Sequence, residues 1–169
     1  MIIFNYIIMC LVFFICFLIG NIISKRYILR VKELKDFENA LNIIESKIKF
    51  TYEPLPEIFM QTSRFLSENI SKIFINASSY MKELSSHEAW DKSLNESNTY
   101  LNKDDIENIK SFGKMLGKTD KEGQVSHLEL TKTFIDIQIE KAKSEEIKNS
   151  KMYKSLGAIL GLALVIILI

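Results

Sequence analysis

No charged side chain occurs before Lys25 or after Lys154, so all 22 basic and 21 acidic residues of the 169-residue chain fall in the stretch between. That stretch is about one-third charged, against about a quarter in an ordinary globular domain. Two prolines and six glycines leave few turn residues, which argues against a many-stranded β sandwich or barrel. Cys10 and Cys16 are the only cysteines, too few for a zinc cluster or a disulfide framework. Both sit in an apolar run, where a thiol behaves as a small buried hydrophobe. The net charge of +1 supplies no electrostatic reason to bind nucleic acid or an acidic substrate. The length allows one domain of ordinary size.

What is present at both ends is apolar. From Met1 to Ile23 only Asn5, Gly20 and Asn21 interrupt a run long enough for a helix to cross a hydrocarbon core of about 30 Å. A signal peptide would carry its positive charge before the run and a small-residue cleavage site after it. Here Lys25, Arg26, Arg30, Lys32 and Lys35 follow the run, and Ile22-Ile23-Ser24-Lys25 is a poor cleavage site, so an uncleaved anchor is expected. The other end is uncharged from Leu156 to Ile169, and a snorkelling Lys154 lengthens it towards a full span. As a buried core helix it would need a partner to cover an apolar rod, so a membrane segment is the better expectation. Lys141, Lys143, Lys148, Lys151 and Lys154 precede it, and with both inner flanks basic the positive-inside rule places the middle of the chain in the cytoplasm. Gly157 and Gly161 lie one turn apart on one face of this segment, a notch that lets another helix approach closely, and self-association or subunit docking is expected there.

The charged middle is helical in pattern. Tyr27, Val31, Leu34, Phe37, Leu41, Ile44 and Ile48 recur in steps of three and four, so one helix is expected to continue from the first segment to about Phe50. Glu53-Pro54-Leu55-Pro56 ends it and starts another. Ile58, Phe59, Thr62, Phe65 and Leu66 mark a second helix, and Ile70, Ile73, Phe74, Ala77, Met81 and Leu84 a third. Ser85-Ser86-His87-Glu88 and Asn102-Lys103-Asp104-Asp105 are N-cap signals before helices bearing Trp90 and Leu94, and Ile106, Ile109, Phe112 and Gly113. Val125, Leu128, Phe134, Ile135, Ile139 and Ala142 mark a long last helix. The expected fold is all-α: a cytoplasmic bundle of about six helices over residues 24–155, flanked by transmembrane helices at 1–23 and 156–169.

The motifs that suggest chemistry fail on inspection. Gly113-Lys114-Met115-Leu116-Gly117-Lys118-Thr119 mimics the end of a P-loop, but Phe112 stands where the first glycine is required and the residues close a helix rather than follow a strand. Gly113 is read instead as a helix-packing residue with Trp90, and Gly117 as a packing residue and helix stop. His87-Glu88-Ala89-Trp90-Asp91 lacks the second histidine of a zinc-protease motif. The sequons at Asn69, Asn76 and Asn95 fit chance in an Asn-rich chain, and Asp104-Asp105 and Glu145-Glu146 fit a helix start and a solvated face. No nucleophile, base and oxyanion site assembles, so no enzyme and no cofactor are expected.

Several stretches, spread over most of the chain, resemble one family. Leu41 to Leu55 (LNIIESKIKFTYEPL), Ala89-Trp90-Asp91-Lys92-Ser93-Leu94, Ser111 to Gly117 (SFGKMLG) with Asp120 after it, and Lys151 to Gly161 (KMYKSLGAILG) are similar to the stage III sporulation protein AB family of endospore-forming Firmicutes. That family resembles the helical cytoplasmic F domain of type II secretion and type IV pilus inner-membrane platform proteins. The resemblance implies a non-enzymatic subunit of a channel between mother cell and forespore, in the mother-cell membrane surrounding the forespore. The implied partners are membrane lipid, the secretion-ATPase-like stage III sporulation protein AA and other stage III sporulation channel subunits, with no nucleic acid. Platform proteins carry two F domains and this chain has room for one, so a homodimer would restore the pair. The first segment departs from the family pattern in lacking small and charged residues, a change an anchor tolerates. The alternative is a membrane-anchored enzyme or regulator whose helical middle holds an unrecognised ligand site.

Overall fold

The computed structural model describes residues 2–114, 116 and 121–168, with side chains for 7–114, 116 and 121–167. Helices account for nearly all of them, and no strand occurs among the described residues. In chain order they are α1 (Ile2–Phe50), α2 (Leu55–Ser63), α3 (Glu68–Tyr80), α4 (Ser86–Asn95), α5 (Lys103–Gly113), α6 (Lys121–Glu145), a single π-helical turn (Glu146–Ser150) and α7 (Lys151–Leu168). The helices group into two compact units, one of Met1–Val31 with Lys141–Ile169 and one of Lys32–Glu140, so α1 and α6 each contribute to both.

In the unit Lys32–Glu140 the breaks follow local chemistry. Pro54 caps α2 in extended conformation with Pro56 inside its first turn, where a missing N–H costs nothing. Ser85 and Glu88 form a reciprocal capping box on α4, and Asn102 and Asp105 form another on α5, each satisfying donors that the helix start leaves open. The amphipathic faces then close over one core. Leu34, Phe37, Ala40, Leu41 and Ile44 of α1 are buried with Phe59 of α2, Ile70, Ile73, Phe74 and Ala77 of α3, Trp90 of α4, Ile109 and Phe112 of α5, and Leu128 and Ile135 of α6. Three residues of the expected apolar faces lie outside this core: Phe65 is 67% exposed, Phe134 is 50% exposed and Leu84 is exposed as well. Adjacent Phe134 and Ile135 are about 100° apart around the helix, and the core takes Ile135.

In the unit Met1–Val31 with Lys141–Ile169, the start of α1 and α7 run antiparallel side by side, while Ile7, Leu11, Phe14, Leu18 and Ile22 of α1 and Ile159, Leu162 and Ile166 of α7 remain exposed. Among the described residues two helices are long and apolar enough to cross a membrane. Exposed apolar side chains of this density are costly in water and suited to lipid.

Candidate functional site

The helix pair is built on glycine. A Cβ on Gly20 would lie 2.6 Å from the Tyr153 carbonyl oxygen and 3.0 Å from the Gly157 Cα. One on Gly157 would lie 2.9 Å from the Cys16 carbonyl oxygen, and one on Gly161 would meet the Phe13 ring at 2.9 Å. The notch of Gly157 and Gly161, expected to serve association with another subunit, is therefore filled by α1 of the same chain. Close backbone approach is what holds helices together where lipid removes the hydrophobic drive between them. Sequence reasoning treated Gly20 as an interruption; the spacing Cys16-x-x-x-Gly20, two small residues one turn apart, was the available signal.

Below the glycines α1 is joined by further contacts to the start of α7, the π turn and the end of α6. The hydroxyls of Ser24 and Ser150 meet at 2.6 Å in a buried position, and Tyr27 and Tyr153 stack with ring centroids 5.9 Å apart. Arg30 is buried and donates from Nη1 to the Glu145 carboxylate at 2.7 Å. Of the residues named as basic flanks, Lys25, Arg26, Lys151 and Lys154 are exposed, whereas Arg30 faces inward to this ion pair. The π turn between α6 and α7 inserts an extra residue and so changes the face that Glu145 and Ser150 present.

The core of the other unit centres on Trp90. Its ring has Phe37, Phe59, Phe74 and Phe112 at centroid distances of 5.9, 5.5, 5.3 and 5.3 Å, mostly edge-on or tilted. Such contacts are worth about 0.5–1.5 kcal/mol each beyond area burial. The indole N–H donates to the Ile109 carbonyl at 3.0 Å, and Ser93 Oγ donates to the Ile73 carbonyl, so these two buried donors of α4 are satisfied by α5 and α3. Gly113 lies against the indole: a Cβ there would sit 2.2 Å from Trp90 Cδ1. The structure thus brings Trp90 and Gly113 together, while Gly117 lies outside the described residues. The P-loop mimic begins at the end of α5, and His127 reaches back to it by donating from Nε2 to the Ser111 carbonyl at 3.1 Å.

Glu33 is the buried polar group that sequence reasoning missed. Its carboxylate accepts from Asn69 Nδ2 at 2.7 Å and from the Tyr100 backbone N–H at 2.6 Å, tying α1 to α3 and to the segment before α5. Burial raises its pKa against the pull of those two hydrogen bonds. Its signal in the sequence was a carboxylate on the flank of the α1 apolar stripe. Glu45 is the converse case: hydrogen bonds from Lys132 and Lys49 hold its carboxyl below the usual range. These carboxylates are engaged in holding helices. Among the described residues no group of three or more His, Cys, Asp or Glu is arranged to hold a metal ion.

Comparison with known proteins converges on one description. A family model described as Stage III sporulation protein AB matches residues 5–169. Stage III sporulation protein AB of Bacillus subtilis (strain 168) is 30% identical over 153 residues, which cover 88% of this chain and 90% of that protein. A solved structure of a stage III sporulation protein AB shares 25% identity and superposes with a TM-score of 0.65 over 71% of this chain and 98% of its own.

Proposed function

The chain belongs to the stage III sporulation protein AB family, and we propose that it acts there as a non-enzymatic membrane platform subunit of a secretion-like channel between mother cell and forespore. The observation that carries this reading is the family match over residues 5–169, which takes in both apolar helices and the whole helical middle. In this reading α1 and α7 anchor the chain twice in the mother-cell membrane that surrounds the forespore. The middle, residues 24–155, faces the mother-cell cytoplasm and resembles an F domain that docks the secretion-ATPase-like stage III sporulation protein AA and meets other stage III sporulation channel subunits. The basic residues at the inner ends of both helices support that orientation. The core supports a scaffolding role, because its polar side chains bridge helices: Glu33 to Asn69 and Tyr100, and Trp90 to Ile109.

Affinity capture of the tagged full-length chain from sporulating cells tests the assembly. The expected result is co-purification of the secretion-type ATPase, and its absence from a capture that retains other channel subunits overturns the docking role. Topology is read separately with Lys82→Cys in a Cys10→Ala, Cys16→Ala background. Residue 82 is expected to resist an impermeant thiol reagent in intact cells and to react after lysis.

A further inference from the structure

The exposed cations of the helix pair form a collar at one level. The contact between Ser24 and Ser150 sets the register of α1 against the π turn. Helix geometry then places Lys25 and Arg26 of α1, Lys148 of the π turn and Lys151 of α7 within about a turn of that contact. Lys154 lies one turn further along α7, next to Tyr153, whose carbonyl faces Gly20. All five cations are exposed. Among the described residues no carboxylate forms an ion pair with any of them: of the two acidic residues near the collar, Glu145 is bonded to Arg30, and Glu146 forms no ion pair with these cations. On the apolar side of this collar the same two helices expose Ile19, Ile22, Leu156 and Ile159. The stacked rings of Tyr27 and Tyr153 lie at the junction, the place aromatic residues take at a membrane interface.

We propose that this collar is a binding surface for anionic phospholipids. It rests on the membrane reading given above and goes beyond it, because the positive-inside rule concerns orientation whereas the collar discriminates among the lipids of the surrounding shell. The chemistry is that of an amphiphile. Phosphodiester and other anionic head-group oxygens meet Lys25, Arg26, Lys148, Lys151 and Lys154, while the acyl chains of the same molecule lie along the exposed isoleucines and Leu156. A soluble phosphate gains only the ionic half of that contact, screened by salt. Turning Arg30 inward onto Glu145 keeps that carboxylate from neutralising the outer cations.

The test uses the full-length chain reconstituted in phosphatidylcholine vesicles carrying a trace of spin-labelled lipid, with the label on phosphatidylglycerol in one sample and on phosphatidylcholine in the other. Electron paramagnetic resonance reads the fraction of label immobilised at the protein. Phosphatidylglycerol is expected to be preferred by about threefold or more, given the attraction of each basic residue to an anionic surface. The preference should fall to unity in the variant Lys25→Gln, Arg26→Gln, Lys148→Gln, Lys151→Gln, Lys154→Gln, with immobilised phosphatidylcholine unchanged. It should also vanish in the parent protein at about 0.5 M salt, where the Debye length is near 4 Å, a measurement that requires no variant to fold. Equal immobilisation of both lipids by the parent, or a preference that survives the five substitutions, overturns the proposal. No immobilised component with either lipid removes the membrane reading itself, an outcome distinct from equal immobilisation.

Discussion

Replacing Gly113 by alanine introduces one methyl group at the tightest contact of the core. That methyl would sit 2.2 Å from Trp90 Cδ1, 2.8 Å from Cγ and 3.1 Å from Cβ, so either the indole or the end of α5 must shift. The indole has little freedom, because it is fully buried, ringed by four phenylalanines and hydrogen-bonded to Ile109. Overpacking costs about 1–3 kcal/mol, and a shift that breaks the indole hydrogen bond adds about 1 kcal/mol. The gain in helix propensity from glycine to alanine is at most about 1 kcal/mol, and Gly113 is the last residue of α5, where the gain is smallest. The net expectation is destabilisation by about 2 kcal/mol, or a Tm lowered by roughly 8–12 °C for a unit of this size. Thermal unfolding of the full-length chain in detergent, followed by the fluorescence of its single tryptophan, reads this contact directly. Lys114→Ala, next to it but exposed, should stay within about 0.5 kcal/mol of the parent. Trp90→Phe opens space, so adding Gly113→Ala to it should cost less than in the parent, a coupling of about 0.5–3 kcal/mol; its unfolding is followed by circular dichroism. A Gly113→Ala protein that melts at or above the parent temperature would refute the reasoning.

In a Cys10→Ala, Cys16→Ala background, Ser24→Cys with Ser150→Cys should form an intrachain disulfide on mild oxidation, since the two hydroxyls touch at 2.6 Å. Gly157→Leu with Gly161→Leu should lower that yield severalfold while carbonate extraction still leaves the protein in the membrane, because leucine fills the notch but partitions well into lipid. The folded-state pKa of Glu45 lies below its unfolded value, so its contribution is present above the ordinary glutamate pKa and is lost as pH falls through the lowered one. The stability gap between the parent and Glu45→Gln should therefore shrink from neutral pH towards about pH 3, and amount to less than about 1 kcal/mol for so peripheral a cluster. Glu33 has the opposite sign: its folded-state pKa is raised, so the parent should gain stability relative to Glu33→Gln as pH falls through that raised value. Glu33→Ala should cost about 1–3 kcal/mol at neutral pH by leaving Asn69 and the Tyr100 N–H without their acceptor; denaturant unfolding measures each of these changes.

Much of this molecule is written in runs of neighbouring residues, and those parts were legible. A helix long and apolar enough to cross a membrane needs an unbroken apolar run, so the two helices of that kind announce themselves by composition alone. The end of α1 at Phe50, the proline-led start of α2 and the caps at Ser85 and Asn102 are local events too, decided within a turn of backbone by groups a few residues apart. Periodicity likewise marked the faces that hold Leu34, Phe37, Phe74 and Trp90.

Tertiary structure decided everything that depends on which helix lies opposite which, and at what register. Whether Phe134 or Ile135 enters the core is settled by the surface facing α6, because both are apolar and the helix cannot present both. Arg30 reads as one more flanking cation until Glu145, 115 residues away, is set beside it. Glu33 acquires its meaning from Asn69 and Tyr100, 36 and 67 residues on. Gly20 reads as a mere interruption of an apolar run until Gly157 arrives against its Cα. The spacing of residues along one helix specifies what that helix can offer; only the packed chain determines what it meets, since contact between distant segments is fixed by the fit of whole helix faces.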